Sequence, residues 1–224
     1  AGAQYMFNRE FGASIRVPFV TRYKMAEEHH GDEMSRHSDV GDIRLNGIYS
    51  GFFDDMSTGL TFGVKLPTGQ TKAANLERGD QIGTGSTDLL LGAYHIGSFG
   101  KSDFGYFVQA SYDRPMIMHN KYTPGYEISS AVGSYYNAGE FGVIKKIAPI
   151  VQFIGTRKGQ DSGINGGHHN DNSGYKMLYF APGIEVSFNQ FKIYADVEFP
   201  IYRSVKGVQL VPQNMYKVIL GYNF

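Results

Sequence analysis

The chain contains no cysteine and no tryptophan. Without thiols there is neither a disulfide framework nor a thiolate metal centre, although this absence assigns no compartment. Long hydrophobic runs are missing too. Stretches such as Leu89-Leu90-Leu91 fall far short of the roughly 20 apolar residues that a membrane-spanning helix needs. Insertion as a helix is thereby excluded. Neither sign of charge is in excess, because 21 Lys and Arg balance 21 Asp and Glu. That balance gives no reason to expect nucleic acid as a partner, or attachment to a membrane by a basic patch. No charged segment followed by an apolar one opens the sequence, which fits a chain that is not exported or one whose signal peptide has been removed. No linker or low-complexity tract divides the 224 residues, so a single domain over 1–224 is expected.

What is abundant points the other way. Glycine (29), tyrosine (16) and phenylalanine (16) are plentiful, which favours tightly turned, strand-rich structure over helices. The mean hydropathy of −0.29 suits a sheet with one wet face. At the carboxy-terminus Tyr216, Val218, Leu220, Tyr222 and Phe224 share one face of a strand. An aromatic last residue on such a strand is the pattern of a closing strand in a bacterial outer-membrane barrel.

The alternation recurs. About ten segments show period two, near 10–23, 40–53, 58–67, 86–97, 103–116, 126–136, 140–155, 175–188, 191–203 and 213–224. In the clearest, Phe191, Ile193, Ala195, Val197, Phe199 and Ile201 alternate with Lys192, Tyr194, Asp196, Glu198 and Pro200. A Lys or Arg facing lipid at the midplane costs about 2–4 kcal/mol, so the charged row points inward. Strict alternation fails around Ile144-Lys145-Lys146, which predicts a bulge there. Short turns at 54–57, 97–102, 137–139 and 189–190 alternate with longer polar loops at about 24–39, 68–85, 117–125, 156–174 and 204–212. That asymmetry is expected of outer-membrane barrels, with the short turns periplasmic. The expected fold is therefore all-β, an antiparallel transmembrane β-barrel of about ten strands; residues 3–8, with Tyr5 and Phe7, offer a further strand, and twelve would follow if one of the longer loops hides a hairpin.

One string is more specific than the rest. Asp39-Val40-Gly41-Asp42 precedes Gly63-Val64-Lys65-Leu66-Pro67-Thr68-Gly69, and Thr84-Gly85-Ser86-Thr87-Asp88 follows. This Gly-Asp start, Leu-Pro-Thr-Gly exit and Thr-Gly-x-x-Asp re-entry resembles the outer-membrane family associated with the MetA pathway of phenol degradation. The likeness covers residues 39–95 by motif and the rest by barrel pattern. It implies a barrel that moves small, often hydrophobic or aromatic compounds across the outer membrane of a Gram-negative bacterium, and it brings no catalytic residue. The bland reading of the same string is a loop anchor.

The inward rows place Arg16, Asp42, Arg44, Lys65, Asp88, Asp113, Glu185, Lys192, Asp196, Glu198 and Lys217 at the lumen. Either they line an aqueous path or they pair into a hydrogen-bonded plug, since polar groups in a narrow barrel need partners. Tyr23, Tyr49, Tyr122, Tyr126, Tyr175, Tyr202 and Phe224 sit near strand ends, where amphipathic rings suit a membrane interface. His29 and His30, and His168 and His169, lie with acids in long loops, where they are weak candidates for a metal; solvated loop histidines are the commoner case. No cofactor is expected. The same rim His and Asp residues are what an omptin-like hydrolase would use, but no catalytic signature accompanies them. A non-enzymatic conduit is therefore the leading expectation, ahead of a rim-sited enzyme or an adhesive scaffold serving an unknown protein partner. Its expected partners are outer-membrane lipids and a small-molecule solute, with no nucleic acid.

Overall fold

The structure is a computed structural model that describes residues 1–26, 33–72, 81–118, 121–163, 172–209 and 211–224. Among the described residues the elements are all strands: β1 (Gly2–Met6), β2 (Phe11–Arg16), β3 (Phe19–Ala26), β4 (Glu33–Val40), β5 (Ile43–Tyr49), β6 (Thr58–Leu66), β7 (Ser86–Ser98), β8 (Phe104–Met118), β9 (Tyr122–Thr123), β10 (Glu127–Tyr136), β11 (Ile144–Lys158), β12 (Ser162–Gly163), β13 (Tyr175–Phe188), β14 (Phe191–Val205) and β15 (Met215–Tyr222). Eleven of them form one antiparallel sheet in the order β1-β2-β5-β6-β7-β8-β10-β11-β13-β14-β15. Each main strand thus pairs with the next along the chain, an up-and-down meander. The sheet has one strand more than the ten read from the sequence. The addition is β1, whose Tyr5 pairs with Ala13.

The sheet curls strongly. Gln4 of β1 and Ser14 of β2 line the same internal cavity as Ile219 and Gly221 of β15, so the two ends of the sheet come round to face each other. Among the described residues no hydrogen-bonded ladder joins β1 to β15. With eleven antiparallel strands the first and last run in the same direction, so an antiparallel closure between these two is geometrically excluded.

Alternation explains the two faces. Phe62, Val108, Val132, Phe153, Ile184 and Leu220 all stand on the convex side and are exposed to whatever surrounds the sheet. Gln109, Ser129, Gln152 and Tyr194 face the concave side. Exposed apolar side chains over the whole outer surface suit hydrocarbon as the surrounding medium. The glycine and aromatic abundance has a local cause: rings lie flat across glycines on the next strand. A Cβ on Gly133 would fall 2.6 Å from the Phe107 ring, and one on Gly47 the same distance from Phe62. Each pair keeps a strand-interior glycine covered.

Two departures from the sequence reading have backbone causes. The stretch 24–39, expected as a loop, is largely a β3–β4 hairpin, paired from Phe19↔Val40 to Ala26↔Glu33. Pro18 has no amide hydrogen and separates β2 from β3, yet its carbonyl accepts from Gly41 N at 2.8 Å and the pairing resumes beyond it. In the stretch 156–174, β11 continues to Lys158, and β12 pairs with β9 in a two-stranded sheet. The bulge expected near Lys145 is present as a register shift between Ile144 and Lys146. Further shifts occur at Thr87/Asp88 and Leu178/Tyr179, where charge alternation gave no warning.

The connections sort by length to the two ends of the sheet. At the short-turn end, Asn189 takes a positive φ of 50°, a conformation that Asn tolerates. There too, Ser57 N donates to Asp55 Oδ1 at 3.0 Å. The hydrogen bonds from Ser57 hold the Asp55 carboxyl below its ordinary range.

Candidate functional site

The concave face encloses two connected cavities, of about 570 Å³ and about 780 Å³. They share Arg16, Thr61, Ser111 and Ile219, so they form one interior. Its polar character follows from the inward rows: a strand that shows Phe, Val and Leu outward has only its alternate positions left for Ser, Thr, Gln and charge.

The eleven charged residues read as inward divide into two sets. Arg16, Arg44, Asp113, Glu185, Lys192 and Lys217 line the cavities. Asp42, Lys65, Asp88, Asp196 and Glu198 are buried.

The burial has partners. Lys65 of β6 and Asp88 of β7 stand directly opposite in register and form an ion pair whose side chains are 6% and 2% exposed. Ser86 Oγ donates to the other oxygen of Asp88 at 2.6 Å. Arg44 reaches Asp113 at 3.0 Å, in a pair that is far more open to the cavity. On the opposite wall Lys217 sits between Asp196 and Glu198, at 3.5 Å and 2.5 Å. Tyr194 Oη donates to Asp196, and Gln152 Nε2 donates to Tyr194 Oη at 2.6 Å and to Asp196 Oδ2 at 3.2 Å. Nearer the short turns Glu185 takes both Lys146, at 3.0 Å, and Lys192, at 3.4 Å. Buried charges need such partners, because desolvation of a lone one is costly.

Asp42 anchors the loop that leaves β6. It accepts from Gly69 N at 3.0 Å, from Thr84 N at 2.8 Å and from Thr84 Oγ1 at 2.6 Å. Gly69 and Gly83 approach so closely that a Cβ on Gly83 would fall 2.2 Å from Gly69 O. The string around Leu-Pro-Thr-Gly therefore folds back onto the Gly-Asp start of β5. Its role here is to fix a loop entry, and Asp42 is saturated by that work.

A second anchor was not legible in the sequence. Asp161 accepts from Tyr122 Oη at 2.6 Å and from Gly125 N at 2.7 Å, and lies 3.2 Å from Lys158. Its own amide donates to Ser173 Oγ at 2.9 Å. Two long connections, 117–125 and 156–174, thus meet at Asp161. Tyr122 and Tyr175 consequently leave the interfacial girdle in which the sequence placed them. Tyr122 is buried on Asp161, and Tyr175, on the inward parity of β13, donates to Glu127 Oε2 at 3.4 Å. Tyr23, Tyr202 and Phe224 do stand outward and exposed.

Glu127, at the start of β10, is the cavity-lining acid that the alternation reading missed, because the strand begins at that residue and offers no preceding period. The candidate metal ligands His29, His30, His168 and His169 lie outside the described residues. Among the described residues no group of three or more His, Asp or Glu is placed to hold a metal ion.

Comparison with known proteins gives a fold and little else. No family model matches the chain, and no curated protein does. Among solved structures, an outer membrane channel from Pseudomonas putida F1 is similar, with a TM-score of 0.68 at 13% identity over 99% of this chain and 79% of that one. The all-β, antiparallel architecture is thus shared with that channel.

Proposed function

We propose that this chain is a channel of the Gram-negative outer membrane through which small molecules pass down their own gradient, without catalysis. The observation that carries the reading is the combination of an apolar convex face with a polar, charge-lined interior whose cavities are about 570 and 780 Å³. A side-chain-filled plug would leave no such space. The fold shared with an outer membrane channel supports the same conclusion. In this reading the short-turn end is periplasmic and the Asp42 and Asp161 anchors stabilise the outer mouth. The motif resemblance around residues 39–95 adds small hydrophobic or aromatic compounds as the cargo class.

Reconstituted into a planar bilayer, the protein is expected to give discrete conductance steps, and in solute-loaded vesicles a size-dependent swelling rate. Silence in both assays would overturn the channel reading.

A further inference from the structure

The order of charges around the long-loop end of the interior is not random. Register places Arg16 opposite Arg44, Arg44 opposite Lys65, and Lys65 opposite Asp88. Beyond the bulge in β7, Asp113 stands opposite Glu127. Neighbouring strands β2, β5 and β6 therefore carry three cations, and the next strands β7, β8 and β10 carry three carboxylates. An alternating order would cancel locally, whereas this segregated one makes a dipole across the mouth.

Internal pairing consumes only the middle of the row. Lys65 takes Asp88, and Arg44 takes Asp113. The Arg16 side chain makes no hydrogen bond or ion pair among the described residues. Among the described residues Glu127 accepts only from hydroxyls, Tyr175 Oη at 3.4 Å and Ser129 Oγ at 3.5 Å, while Lys158, opposite it on β11, is paired with Asp161 instead. Both lone charges line the same cavity. A cavity of about 570 Å³ is in the range that small ligands occupy.

The geometry points to a binding site for a small zwitterion whose two charges are well separated, such as a dipeptide, with its carboxylate on Arg16 and its ammonium on Glu127. Five strand intervals separate the two residues, about 24 Å along the wall. In a sheet curled into a barrel of this size they stand nearly opposite, and once both side chains reach inward the remaining gap is on the order of 10 Å. That gap suits a dipeptide with one hydrogen bond at each end, and exceeds what a compact α-amino acid spans. Arg16 offers a planar fork matched to a carboxylate. The inference rests on the channel reading and goes beyond it, because it names a charged solute class for the mouth, distinct from the apolar cargo that the motif resemblance adds.

The test uses the whole chain in detergent micelles and three probes on one skeleton: glycylglycine, N-acetylglycylglycine (carboxylate only) and glycylglycinamide (ammonium only). Affinities come from ligand-observed NMR titrations. Glycylglycine is expected to bind at least tenfold more tightly than either singly charged probe. Arg16→Gln is expected to bring glycylglycine down to the level of glycylglycinamide, and Glu127→Gln to bring it down to that of N-acetylglycylglycine. Circular dichroism checks that both variants keep their strand content. Equal binding of all three probes overturns the proposal, as do absence of glycylglycine binding and a preference for either singly charged probe. So does a probe ranking unchanged in both variants. Selective binding by a protein silent in bilayers keeps the site and sinks the channel; conductance without selectivity does the reverse.

Discussion

The Lys65–Asp88 pair offers a sharp test of how the interior is held together. Both side chains are almost wholly buried, at 6% and 2% exposure, so neither can fall back on water when its partner is removed. Replacing Lys65 by Met keeps most of the volume but leaves the Asp88 carboxylate with Ser86 Oγ as its hydrogen-bond donor in this cluster. Removing one member of such a pair costs about 3–5 kcal/mol. That is roughly two to four orders of magnitude in the folding equilibrium. The double variant Lys65→Met, Asp88→Leu should recover most of the loss, since two apolar side chains of similar volume replace a buried pair at little cost. The more exposed Arg44–Asp113 pair, at 40% and 18%, should lose only about 1 kcal/mol or less when Arg44 becomes Met. The assay is urea unfolding from lipid vesicles, followed by far-ultraviolet circular dichroism because the chain has no tryptophan to report by fluorescence. A Lys65→Met variant within 1 kcal/mol of the parent, or a double variant as unstable as the single one, would refute the reasoning.

Further tests probe other parts of the molecule. Val132→Arg, on the convex face of β10, should cost about 2–4 kcal/mol in vesicles, whereas Gln109→Arg, on the cavity wall, should cost far less; equal costs would show that the faces are misassigned. Asp161→Ala removes the acceptor shared by Tyr122, Gly125 and Lys158. It should cost about 1–3 kcal/mol and speed protease cleavage in the long connections, and an unchanged cleavage rate would rule out the anchoring role. Asp55 has a lowered folded-state pKa, so its contribution to the turn is present above the ordinary carboxylate range and is lost as pH falls through the lowered value. An NMR titration of the Ser57 amide should follow that midpoint and go flat in Asp55→Asn.

The strands and the alternation of their faces were legible because period two is a local property: Phe191 and Lys192 declare opposite sides whatever lies across the sheet. The bulge at Ile144–Lys146 was legible for the same reason, as a break in that period. The β3–β4 hairpin was not, since polar residues such as Arg36, Ser38 and Asp39 look like loop when no face needs hydrophobic cover. Nor could sequence spacing foretell which charges would meet. Asp113 lies 69 positions from Arg44, and Asp161 lies 39 from Tyr122, and neither interval carries a signal.

Alternation along each strand, then, was enough to determine an all-β sheet with an apolar side and a wet side. Curling decided the rest. It divided the inward charges into buried pairs and cavity-lining groups, left Arg16 and Glu127 without ionic partners among the described residues, and brought β1 and β15 to the same interior. The physical reason is that facing is set by the backbone of a single strand, whereas pairing depends on register and curvature summed over many strands.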